Sequence, residues 1–162
     1  MKPAVFFDRD GVLNKEKHYV YKKEDFEWQP GAIEAISFLQ QKGYYVFVVT
    51  NQSGVARGYY SYEDVENLHS YMQKQLKEND GHIDAFYYCP HHPDFSAECS
   101  CRKPKPGMLL KAMAEFAVDK EHSFLVGDKP SDIEAAKNAG IKGYLYKDGN
   151  LLEAIKQIMK KP

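Results

Sequence analysis

Long apolar runs are missing from this sequence. No stretch approaches the roughly 18 consecutive apolar residues of a membrane-spanning helix. The apolar start Ala4-Val5-Phe6-Phe7 meets charge at Asp8, too soon for the core of a signal peptide. An excess of charge of one sign is missing too. The 22 Lys and Arg stand against 23 Asp and Glu, a formal net charge of −1, which speaks against a dedicated nucleic-acid binder with its broad basic field. A local cationic pocket for a small phosphorylated ligand stays compatible with it. Cysteine is scarce: Cys89, Cys99 and Cys101 are the only three. An odd, clustered set is no disulfide framework, and it points to a reducing, cytoplasmic compartment and to metal. Internal repeats, low-complexity tracts and linkers are absent as well.

What remains is ordinary for a soluble domain: 43% apolar and 28% charged residues. A length of 162 residues suits a single domain, 1–162, with one sizeable core. Strand and helix patterns alternate. Ala4–Phe7, Tyr44–Thr50, Ile83–Tyr88, Phe124–Val126 and Tyr144–Tyr146 read as strands, the second apolar enough to be buried on both faces. Ala32–Leu39, a segment starting at Ser61, a segment from Gly107 to Phe116, Ser131–Ala139 and Leu151–Met159 read as helices. Such alternation predicts an α/β fold, with a mainly parallel sheet covered by helices on both faces. Two long segments, Gly11–Pro30 and Cys89–Pro104, fit no regular element, and loops of that length are usually functional.

The polar residues fall where the strands end. Asp8 and Asp10 follow the first strand, Thr50 and Asn51 the second, Asp128 and Lys129 the fourth. The carboxyl ends of parallel strands share one edge, where ligands bind. Phosphoryl transfer calls for this set. A carboxylate can attack phosphorus to form an acyl-phosphate. A divalent cation offsets the meeting of two anions, and magnesium favours the carboxylate oxygens that Asp8 and Asp128 offer. A lysine and a hydroxyl can hold the transferring group, and a second carboxyl can move protons. Each residue alone is ordinary turn chemistry, and Asp132 alone is a first-turn helix acid. Their conjunction carries the reading.

Cys89-Pro90-His91 and Cys99-Ser100-Cys101 enclose seven residues. Three thiolates and an imidazole are a tetrahedral zinc set, and four protein ligands make the site structural. Metal would supply the ordering energy that this apolar-poor loop lacks. His91 is favoured over adjacent His92 because C-x-H mirrors C-x-C. The basic run Arg102, Lys103, Lys105 follows directly, and a helix start near Gly107 would favour phosphate there.

Four segments in order resemble the motifs of the haloacid dehalogenase superfamily of phosphatases. They are Phe7-Asp8-Arg9-Asp10-Gly11-Val12, Val48 to Gly54 (VVTNQSG), the Arg102-Lys103-Pro104 region, and Gly127-Asp128-Lys129 with Asp132. The resemblance implies a Rossmann-like three-layer sandwich without a large cap domain. It implies Asp8 as nucleophile and magnesium ligand, and Asp10 as general acid/base that also ligates magnesium through its backbone carbonyl. Asp128 would complete the magnesium ligands, and Thr50 and Lys103 would steady the phosphoryl group. Arg102, Lys129, Asn51, Glu16 and Tyr19 would face the substrate, with Cys89, His91, Cys99 and Cys101 on zinc. The zinc loop narrows the resemblance to members that hydrolyse a sugar bisphosphate, removing the 7-phosphate of a heptose 1,7-bisphosphate. Alternatives are histidinol phosphate, a nucleic-acid 3′-phosphate, and a non-enzymatic zinc module. A second substrate phosphate would find Lys129, Arg57 or Lys105, on charge alone. Neither nucleic acid nor membrane is expected as a partner, and a monomer is the default.

Overall fold

A computed structural model describes residues 1–161. Five strands, β1 (Ala4–Phe7), β2 (Tyr45–Asn51), β3 (Ala85–Cys89), β4 (Phe124–Gly127) and β5 (Lys142–Leu145), form one sheet in the order β3-β2-β1-β4-β5. All four pairings are parallel. Five helices connect them: α1 (Ala32–Gln41), α2 (Tyr62–Lys77), α3 (Gly107–Glu115), α4 (Pro130–Ala139) and α5 (Leu151–Met159).

Side chains alternate across each strand, and both sets are apolar. Val5, Phe7, Val46 and Val48 face Ile36 and Leu39 of α1, Met72 and Leu76 of α2, and Ile155 of α5. Ala4, Phe6, Phe47 and Val49 face Leu109 of α3 and Ala135 and Ala136 of α4. Helices thus cover both faces of the sheet, giving a three-layer α/β sandwich. Each fully buried Val, Leu or Phe side chain contributes roughly 1.5–3 kcal/mol. Local signals agree with the tertiary plan. Ser61 and Asp64 form a reciprocal capping box that starts α2, and Gly140, at φ 83°, closes α4.

The expected strand ends need small corrections. Thr50 and Asn51 are the last residues of β2, not its successors, and Cys89 ends β3. The last strand begins at Lys142, leaving Tyr146 just beyond its end. Its Gly143 lies against α4, where an added Cβ would come within 3.1 Å of Ala136. Backbone pairing, not an apolar run, therefore defines that strand.

The strand order reverses direction at β1, whose successors β2 and β4 lie on opposite sides of it. A crevice opens at the carboxyl end of such a switch strand. Asp8 is the first residue past that end.

Candidate active site

Asp8 is anchored at both levels. Its backbone N–H donates to Val126 O (3.1 Å), tying the turn to β4. Its Oδ1 accepts from the Arg9 N–H (2.9 Å) and from Lys103 Nζ (3.0 Å). Lys103 is buried, and its ammonium also donates to Val49 O (2.9 Å) and meets Asp132 Oδ1 at 2.6 Å. Three donors thus meet three acceptors. Burial opposes the charge on Lys103, but Asp8 and Asp132 more than offset it and raise its pKa. Asn51 sets the backbone of that lysine. Its Oδ1 accepts from Lys103 N (3.1 Å), and its Nδ2 donates to Lys103 O (3.4 Å). The residue expected to touch substrate is therefore first a clamp on the lysine loop.

Carboxylate oxygens of Asp8, Asp128 and Asp132 lie within 4.8 Å of one another. Asp132 was not among the expected site residues. It supports the site by pairing with Lys103 and accepting from the Asp128 and Lys129 N–H groups (3.1 Å each). Asp128 Oδ1 is buried with no partner among the described residues. Gly11, at φ 91°, leaves it room, since a Cβ there would stand 2.1 Å from Asp128 Oδ2. Burial pushes Asp8 up to about 8; Lys103 opposes this, while Asp132, Asp10 and Asp128 add repulsion. Burial raises Asp128 as well. One ammonium among these carboxyls is too little positive charge, and an orphaned carboxylate oxygen suits a hard, oxygen-loving divalent cation. The donor set fits magnesium.

Asp10 is held differently. Arg9 Nη2 donates to both its oxygens (3.0 and 3.1 Å), Asn14 Nδ2 to Oδ1 (3.0 Å) and Gln52 Nε2 to Oδ2 (2.9 Å). Burial would raise its pKa, but Arg9 and the two amides outweigh burial and hold it below the usual range. Gln52 also donates to Thr50 Oγ1 (2.9 Å) and accepts from the Tyr60 hydroxyl (2.5 Å). Arg9, Asn14, Gln52 and Tyr60 escaped sequence reasoning. Arg9 showed only as a charge inside a motif, and Tyr60 showed no signal.

A cavity of about 620 Å³ opens over this centre. Asp10 and Lys103 line it, with Glu16, Tyr19, Asn51, Arg102 and Lys129 of the expected set, joined by His18, Gln52, Ser53, Tyr60, Pro104 and Ser131. Thr50 is buried below the surface. Glu16 Oε1 accepts from His18 N (2.5 Å), holding a turn in which His18 and Tyr19 both take positive φ. Arg57 and Lys105 are not among the lining residues. Arg57 lies over the Tyr19 and Phe95 rings (6.0 and 4.8 Å), and Lys105 donates to Cys99 O (2.6 Å). No residue from the start of α3 is among those lining the cavity either, and Gly107 N donates to Ser100 O (3.0 Å). The residues from a helix start that do line it are Lys129, the N-cap of α4, and Ser131 in its first turn.

Beside the cavity, Cys89, His91, Cys99 and Cys101 bring one ligand atom each within 4.8 Å of the others. Cys89 Sγ is 3.5 Å from Cys99 Sγ and 3.7 Å from His91 Nδ1, which is 3.5 Å from Cys101 Sγ. Ligands at roughly 2.0–2.3 Å from a tetrahedral zinc stand about 3.4–3.8 Å apart, so these three edges fit, and the Cys89–Cys101 edge is too short for two zinc-bound thiolates. The expectation of three unpaired cysteines is corrected at one point, since the sulfurs of Cys89 and Cys101 are in disulfide contact, Cα to Cα 5.5 Å. A cystine would use two of the four groups, and zinc uses all four. His92 stands outside the set, engaged by Arg57 Nη2 (3.3 Å) and by Asp94 N (3.1 Å). Arg102 Nη1 donates to His91 O (3.2 Å), which couples the metal loop to the cavity wall.

Comparison with known proteins places this geometry in context. A family model described as "HAD-hyrolase-like" matches residues 100–161. The chain is 44% identical over 163 residues to the D-glycero-beta-D-manno-heptose-1,7-bisphosphate 7-phosphatase of Rhodopseudomonas palustris, covering 98% of this chain and 91% of that one. It is 49% identical over 138 residues to the alpha-anomer enzyme of Campylobacter jejuni, covering 85% and 78%. Among solved structures, the D,D-heptose 1,7-bisphosphate phosphatase of B. bronchiseptica, complexed with magnesium and phosphate, superposes with a TM-score of 0.83 at 35% identity, covering 96% of this chain and 86% of that one.

Proposed function

The chain belongs to the heptose-1,7-bisphosphate 7-phosphatase family of haloacid dehalogenase-like hydrolases, and from that premise we propose how its residues remove the 7-phosphate of a heptose 1,7-bisphosphate. The observation that carries the mechanism is Asp8 at the switch point, bonded to Lys103 and within ligand distance of Asp128. Asp8 attacks phosphorus, the bond from phosphorus to the sugar oxygen breaks, and the departing oxygen takes a proton from Asp10, which must first bind one against the hold of Arg9, Asn14 and Gln52 on its carboxylate. Water then attacks the aspartyl-phosphate, gives a proton to Asp10, and releases phosphate and free Asp8. Lys103 steadies the transferring group, aided by the hydroxyl of Thr50.

Asp8, Asp128 and the Asp10 backbone carbonyl would hold magnesium, which neutralises charge between nucleophile and phosphate. Arg102 and Lys129 on the cavity wall face the sugar and its second phosphate, and Glu16 and Tyr19 line the same cavity. Cys89, His91, Cys99 and Cys101 would hold a structural zinc. No helix among the described residues is long and apolar enough to cross a membrane. Zinc binding requires Cys89 and Cys101 as separate thiolates, and with them reduced the chain is a monomeric cytoplasmic enzyme acting on a small phosphosugar.

The test is phosphate release with magnesium from both anomers of heptose 1,7-bisphosphate and from histidinol phosphate. We expect at least about a hundredfold preference in kcat/KM for one bisphosphate anomer, about 2.7 kcal/mol of transition-state binding. A preference for histidinol phosphate would overturn the substrate and leave the chemistry.

A further inference from the structure

One buried cation has no part in this mechanism. Arg9 is 1% exposed, and enclosing a guanidinium costs several kcal/mol unless its donors are used. Its Nε has no partner among the described residues. Its Nη2 donates to Asp10 and to Val20 O (2.7 Å), and its Nη1 lies 3.2 Å from His69 Nε2. A guanidinium only donates, so His69 Nε2 must accept, with the ring neutral and its proton on Nδ1.

The surroundings of His69 enforce that state. The imidazole is 5% exposed, stacks on Phe86 (centroids 4.4 Å apart, planes at 16°) and meets Tyr88 edge-on. Burial, with help from Arg9, lowers its pKa to about 3. His69 sits on α2, outside all four motifs and 60 residues from Arg9. It is a rigid acceptor aimed at the guanidinium that grips both oxygens of Asp10.

We propose that His69 and Arg9 are a positioning pair that aims the Asp10 carboxylate at the water that cleaves the aspartyl-phosphate. The proposal rests on the role given to Asp10 above. An aryl phosphate isolates the step, because its leaving group departs without a proton and only the second step needs Asp10. Slowing the second step alone lowers kcat and KM together and leaves kcat/KM unchanged, with a burst of phenol as phosphoenzyme accumulates.

The experiment is stopped-flow and steady-state hydrolysis of p-nitrophenyl phosphate by the magnesium- and zinc-loaded enzyme. In His69→Phe, which keeps the ring stack and removes the acceptor, kcat and KM should each fall about tenfold, part of the 10²–10⁴ that general acid–base groups supply. A full burst should precede steady state, and His69→Gln, with an accepting Oε1, should restore both constants. Where His69→Phe does not fold, Arg9→Lys, which keeps the charge but loses the fork, should show the same split. Loss of kcat/KM with no burst, or no change at all, would overturn the proposal. Asp10→Asn in the same assay separates the two readings. If it shows the split and His69→Phe and Arg9→Lys do not, the pair is only structural. If Asp10→Asn shows none, the role of Asp10 itself fails.

Discussion

Asp8 and Lys103 are 95 residues apart and meet at 3.0 Å. Asp8 was legible as an acid just past a buried strand, and Lys103 through the resemblance of its segment to a phosphatase motif. Their partners were not legible. Gln52, Tyr60 and His69 matter through hydrogen bonds across elements, which no periodicity reports. Asp8→Asn should cut turnover by about 10³-fold or more. Thermal melts should show no loss of stability, because Asn removes a carboxyl that burial and its neighbours push up to about 8. His69 gives a pH prediction of definite sign. Its pKa is about 3 when folded against 6.5 ordinarily, so its contribution is fully present above 6.5 and is lost as pH falls toward 3. His69→Gln should flatten the fall in stability across that window, as read by urea unfolding. An unchanged slope would assign the acid sensitivity to other groups.

At the scale of elements, the Cys/His loop does two jobs. It closes on the end of β3, and it delivers Arg102 and Lys103 to the cavity. Cys101→Ser should therefore release zinc, lower the melting temperature, and reduce kcat/KM as Lys103 loosens. Metal analysis beside melting curves would check this, and full stability without zinc would contradict it. The turn after β1 is as tightly specified. Gly11→Ala places a methyl 2.1 Å from Asp128 Oδ2 at a positive φ, and should lower magnesium affinity at least about tenfold in a titration of activity. Helix α5 was readable from periodicity to the residue, since an amphipathic pattern states its own limits. Strand β5 was misplaced, because its residues Lys142 and Gly143 carry no apolar signal. The exposed pattern of an edge strand defeats any reading by burial.

Over the whole molecule, the sheet order does the gathering. Reversal at β1 sets residues from β1, β2, β4 and the metal loop around one crevice. The α/β class followed from alternation alone, and so did the idea that strand-end residues converge. The inner arrangement did not follow, since Asn51 and Asp132 also hold the lysine, through bonds across elements that no motif spells out. Near-neutral charge hid a cavity whose wall carries Arg102, Lys103 and Lys129. Removing magnesium by gel filtration into magnesium-free buffer should abolish turnover, and added magnesium should restore it while the zinc content stays constant. The most direct test is acid quenching of the enzyme during turnover of heptose 1,7-bisphosphate, followed by peptide mass spectrometry. A phosphoryl group on Asp8, absent in Asp8→Asn, is the expected result. Turnover with the phosphoryl group on another residue would contradict the assignment of Asp8 as nucleophile.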